Sequence, residues 1–163
     1  GEISIKSSKC KYIIIRTSWV FSEYGNNFFK TMFKIGQKRD QLSIVSDQYG
    51  CPTYAQDIAM AIKNIISQLE KNEAKQGILN FCGDISCSWH KFAHEIFKAL
   101  KVEGVKTPKN LISIKTSEFP TLAKRPKNSA LCCKKILKDW GIVPSKWQSA
   151  IKDVARKVKS YDN

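Results

Sequence analysis

Two short runs limit what this chain can fold into. Tyr12-Ile13-Ile14-Ile15 is continuously apolar and ends at Arg16, and Ile78-Leu79-Asn80-Phe81-Cys82 is strongly apolar and ends at Gly83. Neither alternates with period two, so each reads as a strand buried on both faces, as in a parallel sheet. Between them lies a helical pattern: Ala55, Ile58, Ala59, Ile62, Ile65, Ile66 and Leu69 recur at three- and four-residue spacing. Strand, helix and strand in that order predict a parallel pair, with the runs as neighbours in one sheet. Two parallel strands are too few to stand alone, so a long unpaired edge and marginal solubility are expected unless more polypeptide covers that edge.

The rest of the chain continues the alternation without internal repeats. Residues 1–9 form a polar lead-in, readable as the tail of a helix. Asn26 is a plausible cap for a helix presenting Phe28, Phe29, Met32 and Phe33. Leu42–Val45 and Leu111–Ile114 read as short strands, and Asp47–Thr53 as a loop. Ser88 caps a second amphipathic helix with Trp89, Phe92, Ala93, Ile96, Phe97 and Leu100 on one face. Leu131–Trp140 reads as a helix stopped by Gly141, and Pro144-Ser145 opens a last helix carrying Trp147, Ala150, Ile151, Val154 and Val158. The fold class is therefore α/β.

Charge narrows the partners. The 163 residues carry 28 Lys+Arg against 14 Asp+Glu, a formal net charge of +14. Only Arg16, Arg39, Arg125 and Arg156 are arginines. Forked recognition of phosphate or base edges relies on arginine, so the composition favours a solvated lysine-rich surface over a nucleic-acid-binding face. No apolar run approaches a membrane span. The six cysteines contain no Cys-x-x-Cys, and reduced thiols in a cytoplasmic protein are expected. His90 and His94 share a helix face but lack the internal Glu of a zinc-protease motif, which points to solvent rather than metal. The chain begins Gly1-Glu2, without Met, and is expected to be part of a longer polypeptide. It has no Gly-rich phosphate loop and no nucleophile elbow. Thr17-Ser18 follow a buried strand, where α/β proteins place ligand contacts, and could equally be simple strand termination. Trp19 beside them suits either core or the wall of a sugar pocket. Arg125-Pro126 in an irregular loop suits anion capture.

Several strings, taken in order, resemble the dTDP-4-dehydrorhamnose reductases among the extended short-chain dehydrogenases. They are Arg16-Thr17-Ser18-Trp19-Val20-Phe21, Gly25-Asn26-Asn27-Phe28, Asp47-Gln48-Tyr49-Gly50-Cys51-Pro52-Thr53-Tyr54 with Asp57-Ile58-Ala59, Ser88-Trp89, Arg125-Pro126-Lys127-Asn128-Ser129 and Trp147-Gln148. The resemblance spans nearly the whole chain but only the C-terminal half of that family. It implies the end of a Rossmann-type parallel sheet plus a small mixed α/β substrate-binding domain. Residues 1–24 and 55–84 would belong to the Rossmann part, and residues 25–54 and 85–163 to the substrate domain.

The family reduces dTDP-4-dehydro-L-rhamnose with NADPH or NADH, so a dTDP-sugar is the implied substrate. Its dinucleotide motif and catalytic Tyr-x-x-x-Lys would lie upstream, so no catalytic residue is assigned here and the isolated chain is expected to be inactive. Thr17 and Ser18 would floor the nicotinamide pocket, and Trp19 would pack on the deoxysugar. Asn27 and Arg125 would face the diphosphate, and Gln48 and Thr53 would lie near the substrate. After Ser129 the family's usual Arg-Leu-Asp-Thr is replaced by Ala130-Leu131-Cys132-Cys133. The missing half or a homodimer partner would complete the assembly. The competing readings are a non-catalytic nucleotide-binding or regulatory module of this fold, or a basic polyanion-binding domain.

Overall fold

A computed structural model describes residues 1–71, 76–121, 123 and 125–161. Helix α1 (Glu2–Ser7) leads into strands β1 (Ile13–Arg16) and β2 (Val20–Phe21), then helix α2 (Phe28–Gly36). Strands β3 (Gln41–Val45), β4 (Tyr49–Gly50) and β5 (Thr53–Tyr54) precede helix α3 (Ala55–Leu69) and strand β6 (Gly77–Asn80). Strand β7 (Cys87–Ser88) runs into helix α4 (Trp89–Val102), followed by β8 (Asn110–Ile114) and a single 3-10 turn at Thr116–Glu118. Helices α5 (Lys134–Trp140) and α6 (Trp147–Tyr161) close the chain.

The two apolar runs do pair. Strand β1 lies parallel to β6 with Ile14 opposite Ile78 and Ile15 opposite Leu79. Strands β2 and β5 form a second parallel pair, β3 and β8 a third, and β4 and β7 an antiparallel one. The structure is thus mixed α/β with predominantly parallel strand pairs.

The expected burial of β1 on both faces is not met. Ile13, Ile14 and Ile15 are only half-buried, because β6 is the one strand beside them among the described residues. The apolar face of α3 is also incompletely covered: Ala61 and Ile65 are buried, whereas Ile62 and Ile66 face solvent. Together Ile13, Ile15, Ile62, Ile65, Ile66 and Leu69 line an open apolar groove of about 680 Å³.

Two hydrophobic clusters organise the interior. One packs Ala61 and Ile65 of α3 with Leu79 and Phe81 around β6 and with Ile136, Trp140 and Ile142 in and after α5. The other joins α2, α4 and α6 around Phe92, with Phe21, Phe29, Leu100, Trp147, Ile151 and Val154 at its centre. Residues 134–140 therefore pack on the β1/β6 side, although they lie within the stretch 85–163.

The helix starts follow capping chemistry. Ser88 caps α4 by accepting the Lys91 N–H at 3.1 Å. Helix α2 is capped by Asn27, not Asn26: the Asn27 backbone is extended and its Oδ1 accepts the Lys30 N–H at 3.1 Å. Helix α5 begins at Lys134, later than Leu131, and ends as expected at Gly141, which is left-handed with φ 65°.

Candidate ligand site

The strand ends gather most of the sequence-predicted residues. Strand β1 ends at Arg16, whose guanidinium is held by both carboxylate oxygens of Glu2 at 2.6 and 2.7 Å. The next residue, Thr17, is exposed at the carboxyl end of the parallel pair. Ser18 turns inward and donates its hydroxyl to the Cys51 carbonyl at 3.1 Å.

Trp19 then adopts φ 49°, a left-handed backbone that a bulky residue occupies only when its surroundings hold it there. Those surroundings are specific. Its ring stacks on Trp89 with centroids 3.5 Å apart and planes 8° apart. A Cβ built on Gly50 would fall 2.3 Å from the Trp19 ring, so only glycine leaves room there. The indole N–H donates to Ser129 Oγ at 3.1 Å.

That last bond seats the loop carrying Arg125. Ser129 also donates its hydroxyl and its backbone N–H to the Tyr49 carbonyl, at 3.1 and 2.8 Å. The Tyr49 N–H donates in turn to the Lys127 carbonyl at 2.8 Å. Four hydrogen bonds thus fix residues 127–129 against β4 and Trp19, while Arg125 and Lys127 remain exposed on the same segment. The segment that carries the cationic side chains of Arg125 and Lys127 is thereby anchored to the Trp19 ring, and aromatic and cationic groups together suit a ring-bearing anion.

Three expected contacts are committed inward. The Thr53 hydroxyl is fully buried; it donates to the Ser18 and Cys51 carbonyls at 2.7 and 3.1 Å and accepts the Gly83 N–H at 3.3 Å. It ties the β2/β5 pair to the segments just beyond β1 and β6 and has no face left for a ligand. Asn27 uses both amide hydrogens on the Ser22 and Tyr24 carbonyls, at 2.9 and 3.0 Å, besides capping α2. Gln48 is buried and donates to Thr116 Oγ1 at 3.1 Å. Its neighbour Asp47 accepts both the Thr116 hydroxyl and the Thr116 N–H, which hold its carboxyl below the usual range. Asn27 and Thr53 therefore brace the loops around Trp19 with their donors spent, and Gln48 braces them through one N–H. Trp89, Gly50 and Ser129 stand in the recognition strings, but no periodicity or spacing assigns them these roles.

An ionic network around the buried Glu23 had no signal in the sequence. Glu23, 4% exposed, accepts Lys157 Nζ at 2.6 Å and the Tyr54 hydroxyl at 3.1 Å. Burial pushes the Glu23 carboxyl up, but the hydrogen bonds from Lys157 and Tyr54 outweigh it and keep the pKa below its ordinary value. Burial raises the Tyr54 pKa, against the hydrogen bond from Lys157, which lowers it. A group whose pKa is lower folded than unfolded stabilises above the unfolded value and loses that contribution as pH falls through the folded one. Glu23→Gln is expected to cost on the order of 2 kcal/mol at pH 7. Thermal melts of the two proteins should converge as the pH drops below the ordinary 4.5. Equal melting at pH 7 would show that the network contributes nothing.

No helix among the described residues is long and apolar enough to cross a membrane. Among them no cluster of three His, Cys, Asp or Glu side chains could hold a metal ion.

Residues 1–160 match the profile of the RmlD substrate binding domain. The dTDP-4-dehydrorhamnose reductase of Aggregatibacter actinomycetemcomitans is 44% identical over 156 residues, covering 94% of this chain and 53% of the relative. The crystal structure of a dTDP-4-dehydrorhamnose reductase from Clostridium acetobutylicum superposes with a TM-score of 0.85 at 32% identity, covering 97% of this chain and 52% of that one. The Bacillus anthracis reductase, solved in complex with NADP, gives 0.79 at 34% identity, covering 94% and 51%. The chain spans about half the length of the curated relatives it matches. On the match across residues 1–160, with the Trp19 and Arg125 strings inside it, this chain belongs to the RmlD substrate-binding-domain family.

Proposed function

We propose that this chain supplies the sugar-nucleotide-binding part of a reductase acting on dTDP-4-dehydro-L-rhamnose, with its relatives' remaining half corresponding to the polypeptide that carries coenzyme and proton donor. The observation that carries this reading is the Trp19 Nε1 to Ser129 Oγ bond, which seats the Arg125 loop beside the tryptophan. Trp19 packs against the deoxysugar and Arg125 neutralises the diphosphate, through an exposed guanidinium that can form charge-assisted forks. Asn27, Gln48 and Thr53 act on the substrate through the loops that they brace. Residues 1–24 and 55–84 complete a Rossmann-type sheet, and residues 25–54 and 85–163 form the substrate domain; the two hydrophobic clusters support that division except at Phe21, which packs with α2, α4 and α6, and at α5 with Ile142, which packs on β6. The open groove of Ile13, Ile15, Ile62 and Ile66 is the face on which the other half sits.

Residues that fit a nicotinamide are few but suitably placed. Thr17 is exposed at the carboxyl end of β1, and Ser18, tied to Cys51, holds the backbone there. NADPH or NADH, when bound, supplies the hydride. This chain's residues hold and orient the sugar nucleotide.

Calorimetric titration of the assembled protein with dTDP tests the reading. Arg125→Ala is expected to weaken binding about 10- to 100-fold, the range of a lost charge-assisted contact. Lys152→Ala, on the outer side of α6, should leave binding unchanged. Equal affinity of the Arg125 variant and the unmodified protein would remove Arg125 from the site. Reductase turnover measured in the same preparation separates a catalytic assembly from a module that only binds nucleotide.

A further inference from the structure

Six cysteines are free thiols in this chain, and two of them meet. Cys82 lies just beyond β6 and is completely buried; Cys133 lies just before α5 and is half-buried. Their sulfurs are 3.5 Å apart, although the residues are 51 apart in sequence. The surroundings of the two sulfurs differ. Cys133 Sγ accepts the backbone N–H of Cys82 at 3.3 Å. Cys82 Sγ faces the carbonyl oxygens of Leu131 and Gly83 at 3.4 and 3.5 Å. A sulfur that receives an N–H is stabilised as thiolate, whereas one surrounded by carbonyl oxygens is held as the S–H donor.

We propose that Cys82 and Cys133 form a reversible disulfide on exposure to a peroxide, with Cys133 the thiol oxidised first and Cys82 the resolving thiol. The order follows from access and charge. Cys133 is the more exposed of the two. The hydrogen bond with the Cys82 side chain, opposed by burial and aided by the Cys82 N–H, holds the Cys133 thiol below its ordinary value. The hydrogen bond to Cys133 and then burial push the Cys82 thiol well up.

In the first step the Cys133 thiolate attacks one peroxide oxygen. The O–O bond breaks, hydroxide leaves and is protonated to water, and the sulfur becomes a sulfenic acid, oxidised by two electrons. In the second step the Cys82 sulfur attacks that sulfur. The S–S bond forms, the S–O bond breaks, and hydroxide leaves with the Cys82 proton as water. Closure from 3.5 Å to a bond length needs roughly 1.5 Å of movement, within reach of the segment just before α5. The bond would tie the end of β6 to the segment that descends from Ser129, and so fix the downstream end of the Arg125 loop. The chemistry of the pair does not depend on which ligand the loop takes.

The test treats the purified, reduced protein with dilute hydrogen peroxide, blocks remaining thiols with N-ethylmaleimide and maps tryptic peptides. The expected result is two fewer free thiols per chain and a cross-link between the peptide containing Cys82 and the one containing Cys133, reversed by dithiothreitol. Cys132→Ser should leave the cross-link intact. Cys82→Ser should leave a Cys133 sulfenic acid that dimedone traps, and Cys133→Ser should abolish both products. The oxidation rate should fall as the pH is lowered, with protonation of Cys133. A cross-link through Cys132, bonding only between chains, or six thiols remaining at a dose that oxidises glutathione would overturn the proposal.

Discussion

Replacing Phe92 with alanine is expected to lower the free energy of unfolding by about 4 kcal/mol. Phe92 is fully buried on α4 and is the point where aromatic rings from four elements converge. Phe21 meets it edge-on at 5.4 Å, Trp147 meets it at 5.6 Å and 89°, and Phe28 lies 5.5 Å away. Trp19 and Trp89 flank it at 6.4 and 6.3 Å. Truncation forfeits the transfer free energy of the ring and leaves a cavity that five rigid rings cannot collapse to fill. Because two of those rings form the Trp19–Trp89 stack, the fluorescence of the folded variant should also change. Urea unfolding followed by tryptophan emission reads both effects. Phe92→Leu should recover about half of the loss. A midpoint within error of the unmodified protein would mean that the helices can repack around α4.

Gly83→Ala is expected to cost about 3 kcal/mol, although it adds one methyl group. Gly83 lies where the turn after β6 passes against two other segments. Its Cβ would fall 2.1 Å from the Pro52 carbonyl oxygen and 2.8 Å from Trp147 Cδ1. The backbone cannot retreat, because the Gly83 N–H is held by Thr53 Oγ1 and its neighbours bond to Ser145 on both sides. The obstruction is a carbonyl and a buried ring, so no flexible side-chain end can swing clear. Gly25→Ala gives a useful contrast. Gly25 has open space but φ 64°, so only backbone strain of about 1 kcal/mol is expected there. Chemical denaturation of the two variants should rank them in that order. A smaller loss at Gly83 than at Gly25 would contradict the crowding seen around β6.

How much of this was readable in advance depended on distance along the chain. The apolar runs at Ile14 and Leu79 announced a parallel pair because β-branched continuity is a local property, and the pair formed. The Ser88 cap and the Gly141 stop were legible for the same reason. The cap of α2 was misplaced by one residue, since adjacent asparagines offer the same chemistry and only the backbone selects Asn27. The burial of β1 was overestimated because a continuous apolar run reports what a strand needs, not what covers it. Within the candidate site, Trp19 and Arg125 were singled out by residue type. The roles of Thr53 and Asn27 were not legible: a hydroxyl or amide in a loop reads alike whether it faces a ligand or its own backbone. Only the positions of Ser18, Cys51 and Gly83 show where the Thr53 hydroxyl is spent.

By itself the sequence determined the helices and the longer strands in order, the apolar face of each helix and the family strings, all of which rest on residues within a turn or two of one another, whereas the two-residue strands β2, β4, β5 and β7 carried no such pattern. The tertiary structure alone decided that Trp19 stacks on Trp89 and bonds Ser129, that the buried Glu23 pairs with Lys157, and that Cys82 meets Cys133. Those partners lie between 51 and 134 residues apart. Pattern and capping act through the local backbone, whereas contacts at that separation exist only once two hydrophobic clusters have closed and paid the entropy of bringing distant segments together.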